Sequence, residues 1–220
     1  MAKNMTDEVA YYYDFHPTEE DLMGETSVHA ALVRYLMEVL AWLFDGQPCA
    51  VHENLNFYQT PHWRECPLAP DIAVIKGVDF GHVRSWRVGK TGPAPQVVLE
   101  IASEETWKKD LNEKPMQYML MGVQEYFAYD PNMPALRRNS QRLFGWHLDK
   151  REQAIRQMPV GLDGRLWSFH LDSFLVPDTS SLRLYDRNRQ LRLTRAEAEA
   201  RRADALAEKL RTLGIDPDRL

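Results

Sequence analysis

The chain has 220 residues, of which 44% are hydrophobic and 27% charged, and its formal net charge is −5. This length suits one medium domain with a sizeable core, with or without an appendage. The acidic total argues against a generally basic nucleic-acid binder, but an enzyme that holds metal ions with carboxylates stays compatible with it. No apolar run approaches the roughly 18 residues of a membrane span, so no membrane partner is expected. Two cysteines and no signal-peptide pattern near the first residues predict a reduced, cytoplasmic setting.

Hydrophobic periodicity predicts two helices in the first 130 residues. The first begins at Thr26 or Ser27, either of which suits a helix cap, and Asp45-Gly46 stops it. The second begins between Asp110 and Asn112 and ends at Gly122. Strand-like segments are 49–58, 71–75, 96–102, 125–130, 143–148, 153–158 and 165–171. This order of elements predicts an α/β fold with a sheet of mixed direction.

The C-terminal part has a different composition. Residues 183–220 hold ten Lys/Arg and seven Asp/Glu, a net charge of +3, which leaves −8 for the rest of the chain. Apolar residues in it alternate spacings of three and four, as in a heptad seam: Leu193, Ala196, Ala200, Ala203, Ala207 and Leu210. We therefore divide the chain into a domain of residues 1–182 and a helical tail of residues 183–220. Three interpretations of the tail stay open, namely a surface helix packed on its own domain, a helix that pairs two copies into a homodimer, and a helix that binds another partner.

Two acids lie in segments predicted as strands. Glu100 interrupts the apolar run QVVLEIA, and Asp71 opens DIAVI directly after Pro70. Burying an unpaired carboxylate is costly, and two carboxylates brought close together repel unless a positive group lies between them. If the two strands pair, both acids converge at one edge of the sheet, and Mg²⁺ suits such a site because it often uses one or two carboxylates. The structural alternative is that Asp71 caps a turn and Glu100 pairs with an arginine.

A lysine on the second predicted helix can complete this site. Lys114 lies one turn before Tyr118 and on the same face of the helix. Its ammonium group can stabilise the charge that develops on a phosphate oxygen, or help to position an attacking water. Asp110 lies four residues before Lys114, so the alternative role of this lysine is a surface ion pair.

These residues belong to a longer set of motifs: Pro70-Asp71, Glu100-Ile101-Ala102-Ser103, Asp110 with Lys114 and Tyr118, Gly122-Val123-Gln124-Glu125-Tyr126, and Asp130-Pro131. The early segment SVHAALVRYL adds a serine followed two residues later by a histidine. The set resembles the Uma-type family of bacterial restriction endonucleases in the PD-(D/E)XK phosphodiesterase superfamily, whose early S-x-x-H segment is similar to SVHAALVRYL. The resemblance covers most of residues 20–180 and the tail.

The resemblance implies a restriction-endonuclease-like fold, a mixed sheet of four or five strands flanked by helices. It implies hydrolysis of DNA phosphodiester bonds with Mg²⁺, or with Mn²⁺ in its place. Asp71 and Glu100 would be metal ligands together with the carbonyl of Ile101. Glu25, preferred over Glu53, would add an acid from earlier in the chain.

The chain departs from the superfamily pattern at Ala102, where a lysine is expected two residues after the second acid. The resemblance implies that Lys114 supplies this lysine from the following helix, with Lys108 and Lys109 as alternatives. Without such a lysine, the domain would be a non-catalytic module that binds nucleic acid or protein and keeps the fold. An assembly protein that pairs chains through its tail is a third hypothesis.

Overall fold

The computed structural model describes residues 11–16, 26–137, 141–149, 154–179 and 181–217. The helices are α1 (Ser27–Leu43), α2 (Trp107–Asn112), α3 (Lys114–Met121) and α4 (Arg195–Thr212). The strands are β1 (Cys49–His52), β2 (Phe57–Tyr58), β3 (Ile72–Lys76), β4 (Trp86–Arg87), β5 (Val97–Ile101), β6 (Glu125–Tyr129), β7 (Leu143–Asp149), β8 (Ala154–Gln157), β9 (Leu166–Ser168), β10 (Ser173–Pro177) and β11 (Leu182–Tyr185). The predicted α/β fold with a sheet of mixed direction is confirmed.

The main sheet has six strands in the order β1-β3-β5-β6-β7-β8. Only the central pair, β5 and β6, is parallel, and the other neighbours run antiparallel. The sheet is wider than the four or five strands that the resemblance implied, because β7 and β8 extend it beyond β6. Every residue of β5 and β6 is buried, as expected for strands that helices cover on both faces.

Helices cover the two faces of the sheet. The apolar stripe of α1, including Leu36 and Val39, packs on the face that carries Val97 and Leu99. The opposite face, with Val98 and Tyr126, packs against α3 through residues such as Tyr118. Because side chains alternate along a strand, Glu100 lies on the same face as Val98 and therefore faces α3.

Helix ends lie close to the predicted positions. Thr26 caps α1, since its side chain accepts a hydrogen bond from the His29 backbone N–H at 3.2 Å. Gly122 ends α3 in the left-handed conformation, with φ of 100°, which a residue without Cβ adopts at little cost.

The second predicted helix is two helices. The structure has α2 from Trp107 and α3 from Lys114, with Glu113 between them. Pro115 lies in the first turn of α3, where backbone N–H groups have no acceptor within the helix, so the N–H that proline lacks costs no hydrogen bond. Its ring disfavours the helical conformation for the residue before it. The single helix beginning between Asp110 and Asn112 is therefore wrong, and Asp110 and Lys114 lie on different helices.

A three-stranded antiparallel sheet, in the order β11-β10-β9, precedes the last helix. The predicted division at residue 183 falls inside β11, and the helical part begins only at Arg195. Thr194 and Glu197 form a capping box at the start of α4, and no residue of α4 is buried. Arg183 pairs with Glu197 at 3.6 Å, and the guanidinium of Arg195 lies 5.8 Å from the ring centre of Trp42 on α1. The division into two domains and the pairing of two tails stay predictions.

Across the ranges that the structure describes, no helix is long and apolar enough to cross a membrane.

Candidate active site

The two acids of the apolar strands lie opposite each other at one edge of the main sheet. Strands β3 and β5 pair antiparallel with Ile72 opposite Leu99, so the next position along this register puts Asp71 opposite Glu100. Directly opposed residues of an antiparallel pair have Cβ atoms about 4.5–5.5 Å apart. Both acids are buried, with 8% of Asp71 and 3% of Glu100 exposed. The predicted convergence of Asp71 and Glu100 is therefore present.

Asp71 is held by one backbone and one side-chain partner. Its Oδ2 accepts a hydrogen bond from the backbone N–H of Ile101 at 2.6 Å, and its Oδ1 lies 3.1 Å from Nε2 of His29. The N–H and C=O of one residue in a strand point to the same side, so the carbonyl of Ile101 is expected on the β3 side of β5. The fold brings His29 to this carboxylate from the first turn of α1.

Glu100 is contacted by two side chains of α3. The hydroxyl of Tyr118 donates to Oε1 at 2.8 Å, and Nζ of Lys114 lies 3.1 Å from the same oxygen. Burial raises the pKa of Glu100 to about 8, the ammonium of Lys114 opposes this rise, and the carboxylates of Asp71 and Asp110 add to it. The alternative in which Glu100 pairs with an arginine is wrong, because its cationic partner is Lys114.

Lys114 lies between two carboxylates. Its Nζ is 2.9 Å from Oδ1 of Asp110, a residue that is only 1% exposed. The other oxygen of this carboxylate, Oδ2, accepts a hydrogen bond from the Thr106 hydroxyl at 2.7 Å. Burial alone lowers the pKa of Lys114, but the carboxylates of Glu100 and Asp110 outweigh it and raise this pKa, so the side chain stays an ammonium at neutral pH. Burial also raises the pKa of Asp110.

Asp110 is a site residue whose burial the sequence did not predict. An ion pair with Lys114 was expected as an alternative at the surface, whereas the observed pair is buried beside Glu100. The four-residue spacing indicated the contact, but nothing local indicated that α2 and α3 would bury it. The hydroxyl of Tyr126, which donates to the backbone carbonyl of Asp110 at 2.8 Å, fixes this segment from the sheet.

The other predicted site residues lie elsewhere. Glu25 lies outside the described residues, and Glu53 is exposed just after β1. Lys108 and Lys109 are exposed on α2, so Lys114 is the one of the three candidate lysines whose ammonium contacts Glu100. Within the described part of the chain, no group of three or more His, Cys, Asp or Glu side chains is arranged to hold a metal ion.

The hydroxyl of Tyr118 allows a first test of this network. Replacing Tyr118 with Phe removes a buried donor to a carboxyl oxygen and is expected to lower the free energy of unfolding by about 1.5–3 kcal/mol. Urea unfolding near pH 9, where Glu100 with its pKa of about 8 is mostly ionised, measures the change. Replacing Tyr126 with Phe is the matched control, because that hydroxyl donates to a neutral backbone carbonyl and its loss should cost less. An equal loss in both variants would contradict the special role of the Glu100 contact.

A mixed sheet flanked by helices, with two acids opposed at one edge and a lysine from the next helix between carboxylates, defines a protein of the restriction-endonuclease-like class. The family model Uma2, described as "Putative restriction endonuclease", matches residues 6–173, and the chain belongs to this family. A solved structure from Anabaena variabilis ATCC 29413, described as a "putative nuclease belonging to DUF820", is similar with a TM-score of 0.46 and 14% identity, over 68% of this chain and 76% of that chain. A search of curated proteins found no match.

Proposed function

We propose that this protein is a metal-dependent endonuclease that hydrolyses DNA phosphodiester bonds. The observation that carries the proposal is the position of Lys114, whose ammonium lies 3.1 Å from Glu100 although the motif position two residues after Glu100 is Ala102. Asp71, Glu100 and the carbonyl of Ile101 would hold the metal, and Lys114 would act on the phosphate. Membership of a family described as restriction endonucleases supports this assignment.

The charge balance of the site suits a divalent cation. Asp71, Glu100 and Asp110 bring three carboxyl groups together, and the cationic groups beside them are Lys114 and, when protonated, His29. The raised pKa of Glu100, about 8, reflects burial with too little positive charge nearby. Tyr118 and Lys114 both contact Oε1 of Glu100, which leaves Oε2 for a cation. Mg²⁺ or Mn²⁺ fits two carboxylates and a carbonyl, since such ions keep several waters.

Each protein group has a distinct task in this proposal. A bound Mg²⁺ would supply an activated water and offset charge on the phosphate. Lys114, fixed by Asp110, presents an ammonium that hydrogen-bonds a phosphate oxygen where negative charge develops. His29 and the Ile101 N–H orient Asp71, and the Tyr118 hydroxyl orients Glu100. Glu25 as a further ligand, a homodimer formed through α4 and a cytoplasmic setting stay predictions.

A second candidate function is a non-catalytic module that binds nucleic acid or protein. The observation in its favour is that Lys114 neutralises part of the acidic cluster without any metal, as a purely structural ion pair would. Metal-dependent cleavage of DNA separates the two functions.

Purified protein is expected to cleave plasmid or single-stranded DNA with Mg²⁺ or Mn²⁺ and to lose this activity in EDTA. The same ions should raise the melting temperature, because a ligand present at 100 times its Kd stabilises the folded state by about 2.7 kcal/mol. For a chain of this size that corresponds to a shift of about 5–10 °C. Metal-dependent stabilisation without cleavage of any substrate would favour the non-catalytic module, and neither effect with either ion would contradict the metal site itself.

A further inference from the structure

Three aromatic rings, those of Phe80, His52 and Trp86, form a stacked group that has no role in the proposed hydrolysis; we call this group the aromatic shelf. The rings of His52 and Phe80 stack with centroids 5.4 Å apart and an interplanar angle of 25°. The ring of Trp86, which is buried, contacts the ring of His52 at a centroid distance of 5.9 Å. Phe80 is 61% exposed, and the ring of His82 contacts it at a centroid distance of 5.7 Å with an interplanar angle of 76°.

The shelf begins beside the acidic pair. His52 lies opposite Ala73 in the β1–β3 pairing, and Asp71 is two residues before Ala73. Side chains related in this diagonal way on one sheet face have Cα atoms about 7–8 Å apart. Ala73 lies on the face that packs with α3, which is also the face of Glu100. A ligand whose phosphate lies at the proposed cation site of Asp71 and Glu100 would therefore place the part next to that phosphate at the aromatic shelf.

His52 carries a polar atom that lacks a partner. Among the residues that the structure describes, its buried Nε2 has no hydrogen-bond partner, which is costly for a polar atom removed from water. Burial lowers the pKa of His52, so the ring is neutral at neutral pH and stacks without a charge. Because this nitrogen is buried and the rings of Phe80 and Trp86 contact that of His52, His52 acts as a support for Phe80, which is the exposed ring.

We propose that Phe80, supported by His52, stacks an unpaired nucleobase next to the phosphate that a cation bound at Asp71 and Glu100 would hold. The location of that phosphate rests on the proposed nuclease function. Bases inside a duplex are covered on both faces by their neighbours, so the shelf selects single-stranded or frayed nucleic acid. Aromatic stacking of this kind tolerates all bases, because every base offers a π-face.

The test measures binding rather than cleavage. A fluorescent oligothymidylate of roughly 12 nucleotides, within the usual site sizes of single-strand binders, is titrated with the full chain in Ca²⁺, an oxygen-binding cation suited to the two carboxylates, and followed by anisotropy. Phe80→Ala is expected to weaken binding about 5- to 150-fold, the range for loss of one stacked base, and Phe80→Trp to restore it. A duplex of the same length should bind the wild type and the alanine variant alike, and a ribose version of the oligonucleotide separates RNA from DNA as the source of the base.

Phe169→Ala is the matched control. Phe169 is 76% exposed, so its removal also deletes an exposed ring. Its backbone N–H bonds to Glu125, which pairs with Val97 at the opposite end of β5 from Ile101, about 13 Å away along the strand. This variant should bind the oligonucleotide like the wild type.

Oligonucleotides with one abasic position, moved along the strand, give the decisive comparison. The wild type should lose affinity at one position, and Phe80→Ala should lose nothing further there. Equal binding by wild type and Phe80→Ala, an equal loss with Phe169→Ala, or no binding of single strands by the wild type would overturn the shelf. Cleavage that depends on Glu100 but not on Phe80 would support the nuclease function and contradict base stacking on Phe80. Phe80-dependent binding without any cleavage would support base stacking and contradict the nuclease function.

Discussion

Replacing Glu100 with Gln is expected to lower metal-dependent DNA cleavage about 1,000-fold or more, while the protein stays about as stable as the wild type near neutral pH. The loss follows from removing a metal ligand, which contributes several kcal/mol of transition-state stabilisation. Stability is retained because the raised pKa of Glu100, about 8, means that the wild-type side chain is largely protonated at pH 7. Glutamine has the shape of that protonated acid and keeps an oxygen for Tyr118 and Lys114. Plasmid nicking and urea unfolding measure the two quantities.

The matched control is another buried glutamate, Glu125, at the opposite end of the central strands. Its carboxylate accepts hydrogen bonds from the Ser168 hydroxyl and from the backbone N–H groups of Phe169 and His170. Glu125→Gln leaves one of these donors without an acceptor and should cost about 1–3 kcal/mol of stability. Its cleavage rate, measured well below the unfolding temperature, should match the wild type. Equal cleavage by Glu100→Gln and wild type would reject Glu100 as a metal ligand.

Replacing Lys114 with Met is expected to destabilise the fold in a pH-dependent way and to abolish efficient cleavage. Removing the cation of a buried ion pair leaves uncompensated carboxylates, a loss of about 3–5 kcal/mol when they are charged. Urea unfolding should show a small deficit relative to wild type near pH 5.5 and a deficit that grows as the pH rises above about 8, the pKa of Glu100 in the wild type. Cleavage, where Lys114 would stabilise charge on the phosphate, should fall about 100-fold or more.

The direction of this pH dependence follows from the carboxyl groups. Burial already holds the pKa of Glu100 and of Asp110 above their ordinary values, and the ammonium of Lys114 is the group that opposes the rise. Without it, both pKa values rise further. A carboxyl with a raised pKa binds its proton more tightly in the folded than in the unfolded state, so its stabilising effect is complete at low pH and is lost as pH rises through the folded value.

Lys108→Met is the control for that experiment. Lys108 is exposed on α2, so its removal should change stability by no more than about 0.5 kcal/mol at either pH. It also tests the alternative assignment of the motif lysine, since a cleavage defect in Lys108→Met and normal cleavage in Lys114→Met would reverse the roles of the two residues. A deficit in Lys114→Met that is equal at both pH values would contradict the coupling of Lys114 to titrating carboxyls.

The main features of the fold were predictable from the sequence alone. The helix from Ser27, the strands around Asp71 and Glu100 and the end of α3 at Gly122 follow from local rules of periodicity, capping and turn chemistry. Glu100 was recognisable because an acid within an apolar run is rare unless a partner meets it. The partner was also predictable in part, because Lys114 and Tyr118 share a face one helical turn apart, and both contact the same oxygen of Glu100.

Tertiary structure alone decided which of these side chains are buried together. The packing of α2 and α3 buries Asp110, so that an expected surface ion pair becomes a buried third carboxylate. His29 reaches Asp71 from a helix 42 positions earlier in the chain, and Phe80 stacks on His52 from a loop beyond β3. Sequence patterns report the local preference of a segment, whereas burial and charge pairing depend on which distant segments pack against it. The acidic pair was therefore predictable as two unusual residues, and its lysine bridge, its third carboxylate and its aromatic shelf depended on the packing of α1, α2, α3 and β1 around it.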